Sequence, residues 1–144
     1  MTKIGSLLAV VLLGASTSAT AQTVNYTCVI SKVAHFQGDF LKQKWRGWTL
    51  DVTFQSGKQV AKVSGPLILR NMGRPIVVPV TSSSNGSLTF DWTMFGVRTS
   101  GRHLISGAMY FQVKLLENSG QFSLQVATLN GSNASRGSGK CTKK

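Results

Sequence analysis

Acidic side chains are the scarcest resource in this chain. Four are present, Asp39, Asp51, Asp91 and Glu117, against 16 lysines and arginines. Hydrolysis by a pair of carboxylates needs two that converge on one bond, and these four are scattered, mostly on stretches that read as solvent-facing strand. Histidine is nearly as rare. His35 and His103 are the only two, too few for the clustered ligands of a zinc site. The two cysteines, Cys28 and Cys141, lack the Cys-x-x-Cys spacing that lowers a thiol pKa. No Gly-x-Ser-x-Gly elbow marks a nucleophilic serine, and no Gly-x-x-x-x-Gly-Lys loop is present to cradle a phosphate. The expectation is a non-enzymatic protein with no catalytic residues, no metal and no cofactor.

Long apolar runs are also missing. The longest, Ile4 to Gly14, covers about eleven residues, against the ~20 that a membrane-spanning helix requires. It follows Lys3 and precedes Ala19-Thr20-Ala21, a small-x-small triplet of the kind cut by signal peptidase. The expected organisation is a signal peptide at 1–21, then one domain at 22–144 with a basic, Gly/Ser-rich tail at 130–144. The mature chain then has no transmembrane segment and is exported to the periplasm or the extracellular space. Oxidation is favoured there, so Cys28 and Cys141 are expected to pair.

What the chain does have is a period of two, the signature of a half-buried strand. Val24, Tyr26, Cys28 and Ile30 alternate with polar residues, as do Trp48, Leu50, Val52 and Phe54. Ser56-Gly57 reads as a turn into a weaker strand at 60–63, and 76–80 reads as a fourth, where Pro79 suggests an edge or a bulge. Asn85-Gly86 is the strongest hairpin signal. It leads to Leu88, Phe90, Trp92 and Met94. Ile105, Met109, Phe111, Val113 and Leu115 share one face of the next strand, and Phe122, Leu124 and Val126 carry the last clear alternation. After Leu129 the composition is that of a disordered tail, but the disulfide pins at least 140–142. The fold class expected is all-β: an antiparallel meander of seven or eight strands, a barrel favoured over a sandwich, closed by one disulfide that joins its first and last segments.

The charge balance is +12 for the whole chain, one less once the leader and Lys3 are gone. Such an imbalance favours anionic partners. In an up-and-down meander the short, nearly neutral turns near 56–58, 81–86 and 117–120 gather at one end. The long connections 32–46, 64–75 and 96–104 gather at the other, with most of the cations. The candidate anion-binding residues are therefore Lys42, Lys44, Trp45, Arg46, Trp48, Arg70, Arg74, Arg98 and Arg102. Lys32 and Arg136 belong to the same end, and only Asp39 opposes them. The stretch 40–48 interleaves aromatics with cations, which suits stacking on bases or sugars or a seat on a membrane surface; plain packing of the aromatics is the simpler reading. As a strand it aims Lys42, Lys44 and Arg46 into the barrel mouth; as a helix begun by Asp39 it buries Phe40, Leu41 and Trp45. Asn25, Asn85, Asn130 and Asn133 each open an Asn-x-Ser/Thr triplet, an acceptor for glycans in a eukaryotic secretory pathway; ordinary turn and loop sequence is the preferred reading.

Tyr26-Thr27-Cys28 and Ser106-Gly107-Ala108-Met109-Tyr110 resemble elements of the small exported inhibitors of c-type lysozyme, which are also disulfide-bonded antiparallel barrels. The resemblance covers eight residues. The segment after Tyr110 departs from the family pattern, and a strongly basic domain has the wrong charge to grip a basic lysozyme. The resemblance implies at most an inhibitor of some acidic enzyme. The function expected from the residues is an exported binding protein whose basic loop end engages an anionic polymer or surface: an acidic glycan, lipid phosphate or nucleic acid. The alternatives are an inhibitor or adaptor that docks an acidic protein, and a lipocalin-like carrier with an apolar lumen lined by Phe54, Trp92, Met94 and Phe111.

Overall fold

The computed structural model describes residues 20–34, 48–82, 84–98, 104–128 and 134–144. Strands β1 (Thr23–Ala34), β2 (Thr49–Gln55) and β3 (Val60–Ser64) precede a short helix, α1 (Pro66–Met72). Strands β4 (Ile76–Ser82), β5 (Ser87–Arg98), β6 (Leu104–Leu116), β7 (Gln121–Thr128) and β8 (Ala134–Lys143) follow. Each strand pairs antiparallel with the next, and β8 returns to β1, so the sheet closes as an eight-stranded barrel. The expected all-β meander is present, and it is a barrel rather than a sandwich.

The alternating residues explain the closure. Val24, Tyr26, Cys28 and Ile30 of β1 are buried, as are Leu50, Val52 and Phe54 of β2 and Leu88, Phe90, Trp92 and Met94 of β5. Met109, Phe111, Val113 and Leu115 of β6 join them. An eight-stranded barrel is just wide enough for its own side chains to fill. Aromatic rings line its interior: Trp92 lies parallel to Phe111 with centroids 5.2 Å apart, and Phe90 stacks with Trp92 at 6.4 Å.

Strand β8 is where composition alone misleads. Its sequence, ASRGSGKCTK, has almost no strand formers, yet it pairs along its length with both β1 and β7. Its inward positions hold very small groups: Ser135, Gly137 and Gly139, and then Cys141. A Cβ on Gly139 would overlap the Val29 carbonyl oxygen and crowd Phe122, and one on Gly137 would press on Ile30. Larger neighbours thus fill the space that β8 leaves. Cys141 faces Cys28 across the β1–β8 register and is bonded to it. Two-sided pairing and the disulfide order a segment that on its own would stay unfolded, and the order extends back to residue 134.

Two other details have local causes. Pro79 sits on a stretch of β4 paired on one side only, the local edge that a proline tolerates. Residues 76–79 of β4 pair with β3 and residues 80–82 pair with β5, so Pro79 marks the handover and its missing N–H leaves no gap in the β5 ladder. The 64–75 connection contains α1, which starts with Pro66 and ends at Gly73 in the left-handed conformation (φ 70°), whose N–H donates to the Leu69 carbonyl at 2.9 Å. A proline at the first helical position and a glycine just past the last form a recognised helix bracket. Leu67 and Ile68 of α1 are buried in the core.

The ends of the barrel sort as the meander requires. Turns at 56–59, 84–86 and 117–120 share one end, and α1, the end of β1 at Ala34, the end of β5 at Arg98 and the start of β8 at Ala134 share the other. Among the described residues no helix is long and apolar enough to cross a membrane.

Candidate functional site

At the loop-rich end, α1 is fixed by Asn71. Its side-chain amide donates to the carbonyls of Leu67 at 2.9 Å and Arg98 at 3.0 Å, and its side-chain oxygen accepts from the Arg98 N–H at 2.6 Å. The carboxamide thus mimics a strand partner for the last residue of β5. This brings Arg70, Arg74 and Arg98 to one end of the barrel, all three exposed. Trp48 is half-buried against the core, and its carbonyl accepts from the Ile30 N–H at 2.9 Å. Lys42, Lys44, Trp45, Arg46 and Arg102 lie outside the described residues, as do Asn130 and Asn133.

Exposed apolar groups stand beside these arginines. Leu69 (45% exposed) and Met72 (48%) are neighbours on the outer face of α1, and Val77 (67%) is the second residue of β4. Phe95 is 77% exposed. It is turned outward where the β5–β6 register shifts, between Phe95 and Val97, with Gly96 and Gly107 both at positive φ.

A second cationic region lies on the outer wall, where β1, β8, β7 and β6 run side by side. One row of outward residues reads Lys32, Ser138, Ser123, Lys114 across the four strands. The rows on either side contain Lys140 opposite Gln121, and Arg136 opposite Gln125. Lys32 joins the row because β1 carries an extra residue between Ile30 and Lys32, so that Ser31 and Lys32 both face solvent. Long cations surrounding the short outward serines, Ser123 and Ser138, leave a trough. It holds a groove of about 520 Å³ lined by Lys32, Lys114, Ser138 and Lys140 among others. A second of about 300 Å³ adjoins it at Lys114 and Ser123 and reaches Arg136. Lys32 and Arg136 were legible as part of the basic set. Lys114 and Lys140 were not, because strand alternation marks them only as outward-facing; the register is what brings them together.

The described carboxylates are engaged elsewhere. Asp51 accepts from the Thr27 hydroxyl at 2.7 Å and sits 3.7 Å from the Lys144 ammonium, the one ion pair among the described residues. Glu117 accepts from the Tyr26 hydroxyl at 2.8 Å. Burial first, and then the Glu117 carboxylate, push the Tyr26 phenol well above its ordinary range. Tyr110 shifts the same way, through desolvation and then the charge and hydrogen bond of Asp91. Lys114, Arg136, Lys140, Arg70, Arg74 and Arg98 therefore face solvent without a carboxylate partner among the described residues. Both basic regions present exposed cations to solvent.

No protein-family model, curated protein or solved structure matches this chain.

Proposed function

We propose that the mature protein is an exported, non-enzymatic binding domain that engages an anionic partner. The supporting observation is the distribution of charge: among the described residues, cations on the loop-rich end and along one wall have no carboxylate partner, while the carboxylates are held by hydroxyls or by Lys144. Each exposed contact is worth little alone, about 1 kcal/mol or less. Several acting on one polyanion give an affinity that is strong at low salt and lost as the Debye length shrinks. The rings stacked inside the barrel favour this reading over a carrier of small apolar ligands. The disulfide fits export to an oxidising compartment. Retention of the mature protein on heparin and phosphate resins tests the proposal. Elution should shift steeply with sodium chloride, and flow-through at low salt on both resins ends it.

One observation favours a second reading. Leu69, Met72, Val77 and Phe95 are exposed beside three arginines, and apolar anchors with arginine are typical of protein-docking surfaces. An inhibitor or adaptor of an acidic protein would use this end. Capture of one acidic protein in equimolar amount, surviving moderate salt, would decide for it.

A further inference from the structure

We propose that the trough on the outer wall of β1, β8, β7 and β6 is a binding site for a linear acidic polysaccharide; this rests on the anion-binding reading above. The register places four cations around Ser138 in a diamond. Lys140 and Arg136 lie two residues to either side of it on β8, Lys32 one strand away and Lys114 two strands away on the other side. Strand geometry puts Lys140 and Arg136 about 13 Å apart at the backbone, and Lys32 and Lys114 about 15 Å apart across it. A glycan with a carboxylate or sulfate on every sugar presents several charges within this span, and one charged on alternate sugars presents two.

The floor between the cations suits sugars. Ser123 and Ser138 offer hydroxyls, and Gln121 and Gln125 offer amides. These groups both donate and accept, as sugar hydroxyls do. The short outward side chains of Ser123 and Ser138 keep the floor low enough for a chain to lie between the lysines. Nucleic acid is less well served. The one aromatic lining the trough, Phe122, is 3% exposed and packed into the core, so bases find no stacking platform. A bilayer is too flat to enter a groove whose walls are lysine side chains. The nearest carboxylate by register is Asp91, diagonal to Lys114 on β5, and its charge is shared with the Tyr110 hydroxyl.

The test compares two variants of equal net charge. One carries Lys114→Gln, Arg136→Gln and Lys140→Gln in the trough; the other carries Arg70→Gln, Arg74→Gln and Arg98→Gln at the loop-rich end. All six side chains are exposed, and circular dichroism checks that both variants keep the fold. Binding is measured to polygalacturonate, heparin, a single-stranded oligothymidylate and phosphatidylglycerol vesicles. The trough variant should bind polygalacturonate and heparin about tenfold or more weakly than wild type, from three lost exposed charge contacts, with the end variant within about threefold of wild type. Equal losses in both variants, or a loss confined to the end variant, overturn the trough assignment while leaving anion binding intact. So does a wild-type protein that prefers the oligonucleotide or the vesicles to both glycans. Wild-type protein that binds none of the four probes at low salt overturns the anion-binding reading itself, and the trough with it.

Discussion

Replacing Cys28 and Cys141 together by alanine should cost this barrel a large part of its stability. The bond spans 113 residues of sequence, so nearly the whole domain lies within the loop it closes. On the chain-entropy account, freeing a loop of that length costs about 5 kcal/mol at 25 °C. Both sulfurs are buried, with Cys28 at 0% and Cys141 at 8% exposure, and their loss from packing adds about 1 kcal/mol. Against this, β1 and β8 stay hydrogen-bonded along most of their length, so the native topology is retained. Equilibrium urea unfolding is the assay. With an m value near 1.5 kcal/mol/M, the midpoint falls by about 3–4 M, and m rises because the unlinked chain exposes more surface when unfolded. A loss below about 2 kcal/mol with unchanged m would refute the reasoning, since it would place the disulfide's effect outside the unfolded state.

Four further outcomes follow from particular contacts. Stability should hold below the ordinary phenol value of about 10 and fall above it, because the unfolded state then releases a proton that folded Tyr26 retains; relative to Tyr26→Phe the extra slope is about 1.4 kcal/mol per pH unit, read from urea midpoints between pH 9 and 11. Gly139→Ala forces a methyl into the Val29 carbonyl and the Phe122 ring, costing about 2–3 kcal/mol in thermal unfolding, whereas Ser138→Ala on the outward face costs under about 0.5 kcal/mol. Asn71→Ala leaves the Arg98 backbone without its partner, costing about 1–3 kcal/mol and speeding amide exchange at Arg98. Trp92→Ala removes the ring that stacks with both Phe90 and Phe111 and should cost about 3–5 kcal/mol by urea unfolding.

The barrel was legible because its strands alternate cleanly. Val24 to Ile30, Trp48 to Phe54 and Leu88 to Met94 each announce which face is buried, and a meander tied end to end by Cys28 and Cys141 has one natural closure. Strand β8 was legible only through Cys141. Gly137 and Gly139 have no strand propensity of their own, and their fitness appears only against Ile30, Leu124 and Phe122 across the register. Helix α1 was hidden in a segment too short for helical periodicity, although Pro66 and Gly73 bracket it. The end bearing Arg70, Arg74 and Arg98 follows from strand order alone. The trough does not, because it depends on which outward residue stands beside which, and that pairing is set by the extra residue at Ser31–Lys32 and by the register of β6, β7 and β8. Sequence alternation tells inside from outside; only register tells which outside residues are neighbours.

The most direct test of anion binding on the outer wall is a map of backbone amide shifts by nuclear magnetic resonance as polygalacturonate is added to the mature, oxidised protein at low salt. The account predicts that the largest shifts cluster at Arg136, Ser138 and Lys140 of β8, Ser123 and Gln125 of β7, Lys114 of β6 and Lys32 of β1, and that added sodium chloride reverses them. Shifts confined to α1 and the end of β5, or no shifts under conditions of low ionic strength, would contradict it.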